Sequence, residues 1–269
     1  MIGFATFWSG PLPALMRACL ASFPANGAKL AFYAYEAPPD LPEGVELRDA
    51  REICLDLRER YLVDGRPSLA HFSDRFRYEM LTRTEFCWVD ADIVALRPQA
   101  LDAAVIWGRQ AEAKGKALIN NAVLRLPSDD PVLADMLARA RAAEGQDISW
   151  GAIGPYLLTE LAEAHGRYGT AAPPEHFFPV APDDFWRLFD PASRDAVTEA
   201  ARDAELIHLW SELLRRVGYD FDAAPPPGSY LADLFADFGA LGLFPRVCEP
   251  QEIAAVIARW RASAPKENS

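Results

Sequence analysis

The sequence predicts an α/β fold, with a mixed, mostly parallel sheet flanked by helices and an irregular, helical C-terminal part. Short apolar runs alternate with segments of helical period from residue 2 to about residue 165. Turn chemistry separates these runs, and strands that alternate with helices build sheets covered on both faces. From Asp183 onward the alternation fades, and Pro225-Pro226-Pro227 reads as a loop.

Residues 2–8 read as a buried first strand, ended by Ser9-Gly10-Pro11. Leu12 to Phe23 then places Leu12, Leu15, Met16, Cys19, Leu20 and Phe23 at helical spacing. Leu30 to Tyr35 is the second strand and Val45 to Leu47 the third. Asp49 is placed to cap a following helix, with Glu52 three residues on, as in a capping box. Ser68 to Arg83 is a helix whose apolar side carries Leu69, Phe72, Phe76, Met80 and Leu81. Phe86 to Val89 is a short apolar strand that ends at Asp90. Residues 105–107 and 121–126 are further strands. Pro131 to Ala143 is a helix with Asp129 or Asp130 near its N-cap, and Pro155 to His165 is another. Gln251 to Trp260 is a tail helix whose Ile253, Val256, Ile257 and Trp260 suit either the core or an interface.

The 269 residues suffice for a large core without covalent staples, and one domain over residues 1–269 is expected. The net charge of −12 repels nucleic acid, so no nucleic-acid partner is expected. It also disfavours broad docking on anionic lipid. Arg58-Glu59-Arg60 and Arg215-Arg216 are the candidates for a local basic patch, and both also fit solvated helix faces. No apolar run approaches the roughly 20 residues that span a bilayer, and no signal peptide is evident. The expectation is a complete cytoplasmic chain, with peripheral contact at the inner face of a membrane left open. Cys19, Cys54, Cys87 and Cys248 show no C-x-x-C spacing and are expected to be reduced, buried thiols.

The most informative run is Phe86-Cys87-Trp88-Val89-Asp90-Ala91-Asp92. In open α/β sheets, ligands bind beyond the carboxyl ends of the strands. If the strand continues through the triplet, Asp90 and Asp92 share one face, because side chains alternate with a period of two. Two carboxylates there make a hard-oxygen site for Mn²⁺ or Mg²⁺, which can bridge a diphosphate and neutralise charge on a leaving nucleotide. Asp-x-Asp triplets also occur in solvated turns. Upstream, Asp74 and Arg77 lie three apart on the preceding helix, so they share a face. That pair fits either a surface ion pair or a clamp for sugar hydroxyls or phosphate.

Ser73-Asp74-x-x-Arg77-Tyr78, an apolar strand, Asp90-x-Asp92 and Leu96-x-Pro98 follow one another in an order that resembles the sugar-binding region of glycosyltransferase family 32. Phe7-Trp8-Ser9-Gly10 resembles the end of that family's first strand. Asn120-Asn121 with Pro127 resembles its asparagine segment. Residues 150–155, Trp-Gly-Ala-Ile-Gly-Pro, resemble its (S/T)GP segment, and Ile207-His208-Leu209-Trp210 its C-terminal His-x-Trp segment. The resemblance spans roughly residues 2–216. The chain departs at Thr84-Glu85, where the family has Gly-Gly, at Ala152, and at Leu214-Arg215, where a further Trp is missing.

The resemblance implies a GT-A (Rossmann-like) fold, with residues 1–130 as the nucleotide-sugar half and 131–269 as the acceptor-side half. It implies retaining transfer of a hexose from a nucleotide sugar, a UDP-sugar first, to a glycan or lipid-linked glycan such as bacterial lipopolysaccharide or capsule. By the same carry-over Phe7 and Trp8 contact the nucleobase, and Ser73, Asp74 and Arg77 hold the donor sugar. Asp90 contacts ribose and metal, and Asp92 the metal. His208 lies near the diphosphate or metal, Asn121 near donor or acceptor sugar, and Gly154-Pro155 near either. Trp8 and His208 also suit plain core positions. No nucleophile is assigned, although Asp147 and Glu160 are candidates to lie near the site. Front-face attack with a diphosphate oxygen as base is the favoured route, on family analogy.

Two other readings use the same residues. Residues 89–94 fit the hhhDxDx(T/V) pattern of haloacid-dehalogenase-type phosphatases, with Asp90 as nucleophile and Asp92 as acid/base. Lys114 or Lys116 and Asp183-Asp184 would then complete the site. The second is a non-catalytic nucleotide-sugar-binding relative with the same fold.

Overall fold

The computed structural model describes residues 2–56, 61–111 and 117–263. Arg58-Glu59-Arg60, Lys114 and Lys116 lie outside these described residues.

The first strand, β1 (Phe4–Phe7), is fully buried, and helix α1 (Ala14–Ala25) follows it. Next come β2 (Leu30–Ala34) and β3 (Val45–Asp49). The helix expected after Asp49 is only a 3₁₀ turn, Ala50–Glu52. Asp49 caps it through the Arg51 N–H, so the reciprocal bond of a capping box is not what closes it. A small hairpin, β4 (Leu62–Val63) and β5 (Arg66–Pro67), leads into α2 (Leu69–Leu81). Strand β6 (Cys87–Val89) ends one residue before Asp90.

Strand β7 (Ile93–Ala95), not anticipated from the sequence, comes directly after the Asp-x-Asp triplet. Then follow β8 (Ile106–Arg109), β9 (Ile119–Arg125), α3 (Pro131–Ala142) and α4 (Pro155–Ala164). Asp130 is the N-cap of α3, accepting from the Val132 N–H at 2.9 Å. The later part is indeed less regular. It holds α5 (Pro174–Phe177), α6 (Arg194–Ala200), β10 (Leu206–His208) and α7 (Ser211–Arg216). Then come β11 (Ala223–Ala224), α8 (Tyr230–Asp237), β12 (Arg246–Val247) and α9 (Pro250–Ser263).

The main sheet has the order β3-β2-β1-β6-β9-β8. Its first four strands are parallel, and β9 runs antiparallel to both neighbours. The fold is therefore mixed α/β with a mostly parallel sheet. Strand alternation divides the core in two. Leu30, Phe32, Cys87 and Val89 face α1 and the C-terminal elements. Ala31, Tyr33 and Trp88 face α2, α3 and α4. The tail helix α9 packs Ile253 and Val256 into the first of these layers. All four cysteines are buried and unbridged. Among the described residues, no helix is long and apolar enough to cross a membrane.

Candidate active site

A cavity of about 600 Å³ opens at the carboxyl ends of β1 and β6. It is lined by Phe7, Trp8, Ser73, Asp74, Arg77, Asp90, Asp92, Asn121, Pro155 and His208, so the structure brings these sequence-predicted residues together. Gly154 sits just behind them, where an added Cβ would stand 3.1 Å from Asp74 Oδ2.

Strand β6 stops at Val89, so Asp90 and Asp92 do not share a strand face. A turn closed by the Ile93 N–H on the Asp90 carbonyl carries them instead. The ladder that follows explains the third member of the cluster. Strand β10 pairs antiparallel with β7, opposing His208 to Ile93. This returns His208 to the triplet across more than a hundred residues of chain. The Leu209 N–H donates to the Asp92 carbonyl at 3.0 Å, and the Ser211 N–H to Asp92 Oδ2 at 2.8 Å. His208 Nε2 lies 3.2 Å from the same oxygen.

Trp210 makes that turn at φ +57, a left-handed conformation rare outside glycine. Its indole is locked by Nε1–H donation to the Val180 carbonyl at 2.9 Å and by the His208 ring, with centroids 4.2 Å apart. Strain of this kind is held only where surrounding packing fixes it.

Asp90, Asp92 and His208 each offer a ligand atom, all within 4.8 Å of one another. Burial pushes the Asp92 carboxyl up. The His208 charge and the hydrogen bonds from His208 and Ser211 outweigh this and hold it well below the usual range, at about 2. Burial conversely pushes His208 down, and Asp92 outweighs that and raises it. Both shifts favour the charged pair. His208 Nδ1 is buried without a hydrogen-bond partner, so the protein alone leaves this imidazole incompletely satisfied. Two carboxylates and an imidazole are a donor set that suits Mn²⁺, and the residues fit a divalent cation.

Behind this cluster lies a buried ionic network. Arg77 Nη2 is 3.2 Å from Asp74 Oδ1 and 3.1 Å from Asp90 Oδ1, and Nη1 donates to the Asn121 carbonyl at 2.6 Å. Its guanidinium lies over the Trp88 ring, 4.8 Å from the centroid. The Asp74–Arg77 pair is thus no surface pair: the side chains are 12% and 5% exposed. Asn121 Nδ2 donates to Asp74 Oδ1 at 2.8 Å and to the Tyr78 hydroxyl at 3.0 Å. That hydroxyl donates to the Ile153 carbonyl, which ties the 150–155 segment to α2. Burial raises Asp74, and Arg77, His71 and Asn121 only partly offset it.

Neither Asp147 nor Glu160 lines the cavity. Asp147 accepts from the Gly65 N–H, and Glu160 pairs with Arg139 on the surface. Asp183 and Asp184 are also absent from the lining, because they belong to a 3₁₀ turn that contributes only Pro182. Several lining residues were not assigned from the sequence. Trp88 donates from Nε1 to Asp90 Oδ1 at 2.8 Å. Ser211, Glu212, Arg215 and Arg216 come from α7, and His71, Trp150 and Tyr156 complete the same lining. The pair Arg215-Arg216 was visible as a basic patch. Its anchoring on Glu212 at the cavity mouth was not.

No known protein-family model matches the chain, and no curated protein matches it. Solved structures similar to it include one described as PaToxG glycosyltransferase, at 10% identity and TM-score 0.42, covering 61% of this chain and 68% of that one. The glycosyltransferase GlyE of Streptococcus pneumoniae TIGR4 is similar in two structures. Its apo form has 9% identity and TM-score 0.44, covering 97% of this chain and 63% of GlyE. The second has 10% identity and TM-score 0.44, covering all of this chain and 66% of GlyE. This chain therefore spans slightly less than two thirds of GlyE.

Proposed function

We propose that this chain is a metal-dependent glycosyltransferase of the GT-A type, similar to family 32, that moves a hexose from a nucleotide sugar to a glycan. The observation that carries the reading is the cluster of Asp90, Asp92 and His208 facing a 600 Å³ cavity, with Asp74, Arg77 and Asn121 behind it. Asp90, Asp92 and His208 would hold Mn²⁺ or Mg²⁺, which supplies charge neutralisation for a departing diphosphate. Phe7 and Trp8 flank the nucleobase side. Ser73, Asp74, Asn121 and Pro155 border the donor sugar.

Arg77 has a different part in this reading. Its donors are directed to Asp74, Asp90 and Asn121 rather than into open space. It fixes both carboxylates at once, which is the preorganisation that transfer chemistry needs. In this reading residues 1–130 form the donor half and 131–269 the acceptor half. The donor is a UDP-sugar, transfer retains the anomeric configuration, and the acceptor is a bacterial surface glycan. Such an enzyme would work in the cytoplasm, at the inner face of the membrane where lipid-linked acceptors lie.

The test is release of UDP from a panel of UDP-sugars with Mn²⁺, with NMR of the product anomer. Slow Mn²⁺-dependent UDP release is expected. Asp92→Asn should lower it on the order of 100-fold or more, the upper range known even for groups behind a metal ligand. Release of phosphate from a phosphomonoester instead would move the assignment to Asp90 as a phosphatase nucleophile. Binding of UDP without turnover would leave a non-catalytic binder.

A further inference from the structure

Among the described residues, Trp150 and Tyr156 are the only aromatic side chains among the exposed large apolar ones, at 47% and 57%. Both line the same cavity, as does the exposed Leu69. Large rings elsewhere in the molecule are mostly buried, so a paired exposure at a cavity mouth calls for a ligand.

The rim is also held in place. The His71 ring meets Trp150 edge-on, with centroids 5.7 Å apart and planes at 87°. His71 is itself buried and fixed, with Nδ1 2.6 Å from Ser68 Oγ and Nε2 3.3 Å from the Ser149 carbonyl. From α7, the Arg216 guanidinium stands over the Trp150 ring at 5.7 Å. Glu212 holds Arg216 by a 3.0 Å hydrogen bond. On the other ring, Gly151 adopts φ +76, and a Cβ there would come 3.0 Å from Tyr156. Glycine thus lets the Tyr156 ring lie against the backbone. Little conformational freedom remains to be lost when a ligand lands on these rings.

The chemistry of the occupant follows from the lining. Flat apolar faces with polar groups around them suit a molecule that has a C–H face and a hydroxyl rim, which is a pyranose ring. The platform joins the metal cluster through α7, whose first residue, Ser211, donates to Asp92. It joins the Asp74–Asn121 network through Gly154, which lies between the two rings in sequence. We infer that Trp150 and Tyr156 form the acceptor subsite, a stacking platform for the pyranose unit that receives the transferred sugar, with His71 and Arg216 as positioning residues. This inference rests on the transferase reading.

The test uses the full chain saturated with UDP and Mn²⁺, and saturation-transfer NMR with the methyl α-pyranosides of glucose, galactose and mannose. At least one should bind, with strongest transfer to the C–H protons of one ring face. Trp150→Ala should weaken that binding about tenfold, the loss that 1.4 kcal/mol represents. Trp150→Phe and Tyr156→Phe should keep most of it, because the ring and not the polar tip carries the contact. UDP affinity of Trp150→Ala, from calorimetry, should stay within about twofold of the parent, since the inference gives this ring to the acceptor and not to the nucleotide. The inference is overturned if no pyranoside binds while UDP does, or if Trp150→Ala leaves pyranoside binding unchanged. It is also overturned if Trp150→Ala weakens UDP as much as the pyranoside, for the rim would then belong to the donor. Failure of UDP itself to bind with Mn²⁺ removes the transferase reading, and a chain that binds a pyranoside but no UDP would be a sugar-binding module with no acceptor subsite.

Discussion

On the α2 side of the cavity, Asp74, Arg77, Asn121 and Tyr78 bond to one another and to backbone carbonyls, deep between a long helix and the sheet. On the opposite side, His208, Ser211 and Glu212 ride on a three-residue strand and a six-residue helix. They reach the site through the β7–β10 pairing and a left-handed tryptophan. The first side is satisfied by the protein itself. The second leaves His208 Nδ1 unpartnered and a carboxylate–imidazole pair directed at the cavity. One wall is thus a frame, and the other is the wall that the proposed metal ion would complete.

Substitution of the frame should have the largest effect. Arg77→Met leaves the buried Asp74 and the partly exposed Asp90 without their shared cation. Removing one partner of such a network costs about 3–5 kcal/mol, because an uncompensated charge stays behind. That corresponds to a fall in Tm of roughly 10 °C for a chain of this size. Thermal unfolding with and without Mn²⁺ checks it, and a Tm within a degree or two of the parent would show that Arg77 is not structural.

The ligand-completed wall should respond to metal instead. Mn²⁺ at about a hundred times its Kd stabilises the folded state by about 2.7 kcal/mol, if it binds only that state. The parent should therefore rise in Tm by several degrees. Asp92→Asn and His208→Gln should lose that rise while folding normally. If they keep it, the ion binds elsewhere.

How far this contrast was readable from the sequence follows from the physics of each wall. Strand β6, helix α2 and the Asp-x-Asp triplet are local patterns, and they were legible as such. The burial of the Asp74–Arg77 pair was not, because i,i+3 spacing is the same on a surface face and on a core face. Strands β7 and β10 are three residues long and fully buried, so they show neither alternation nor length. Their pairing joins residues far apart in the chain. His208 was found by its motif, whereas Ser211, which donates a backbone N–H, has no side-chain signature at all.

The two walls also predict a pH signature in metal-free protein. Asp92 is lowered, so its contribution to stability is present above the unfolded carboxylate value, about 3.9, and is lost as pH falls toward about 2. His208 is raised, so its contribution is full below the unfolded value of about 6.5 and is lost as pH rises through its folded value. The pair therefore stabilises most between roughly pH 4 and 6.5. Mn²⁺ needs neutral imidazole, so its own stabilisation should grow above that window. Tm against pH, measured with EDTA and with Mn²⁺, should show maxima displaced in opposite directions. His208→Gln should flatten the alkaline side of the metal-free curve.

The smallest effect separates position from pairing on the frame side. Gly154→Ala removes no partner and adds one methyl group 3.1 Å from Asp74 Oδ2. An exposed carboxylate would swing aside at almost no cost. Asp74 cannot, because Arg77 and Asn121 both hold its other oxygen and the residue is buried. The methyl must therefore displace either the carboxylate or the start of α4 by a few tenths of an ångström. The expected loss of stability is about 1 kcal/mol, in the range of mild overpacking. In the proposed function Asp74 borders the donor sugar, and small misplacements of a positioning group are amplified in the reaction, so the effect on the donor should be larger than that figure suggests. A urea midpoint that moves little, together with a donor KM that rises several-fold, is the expected result. An unchanged KM would mean that Asp74 serves only Arg77 and never meets the sugar.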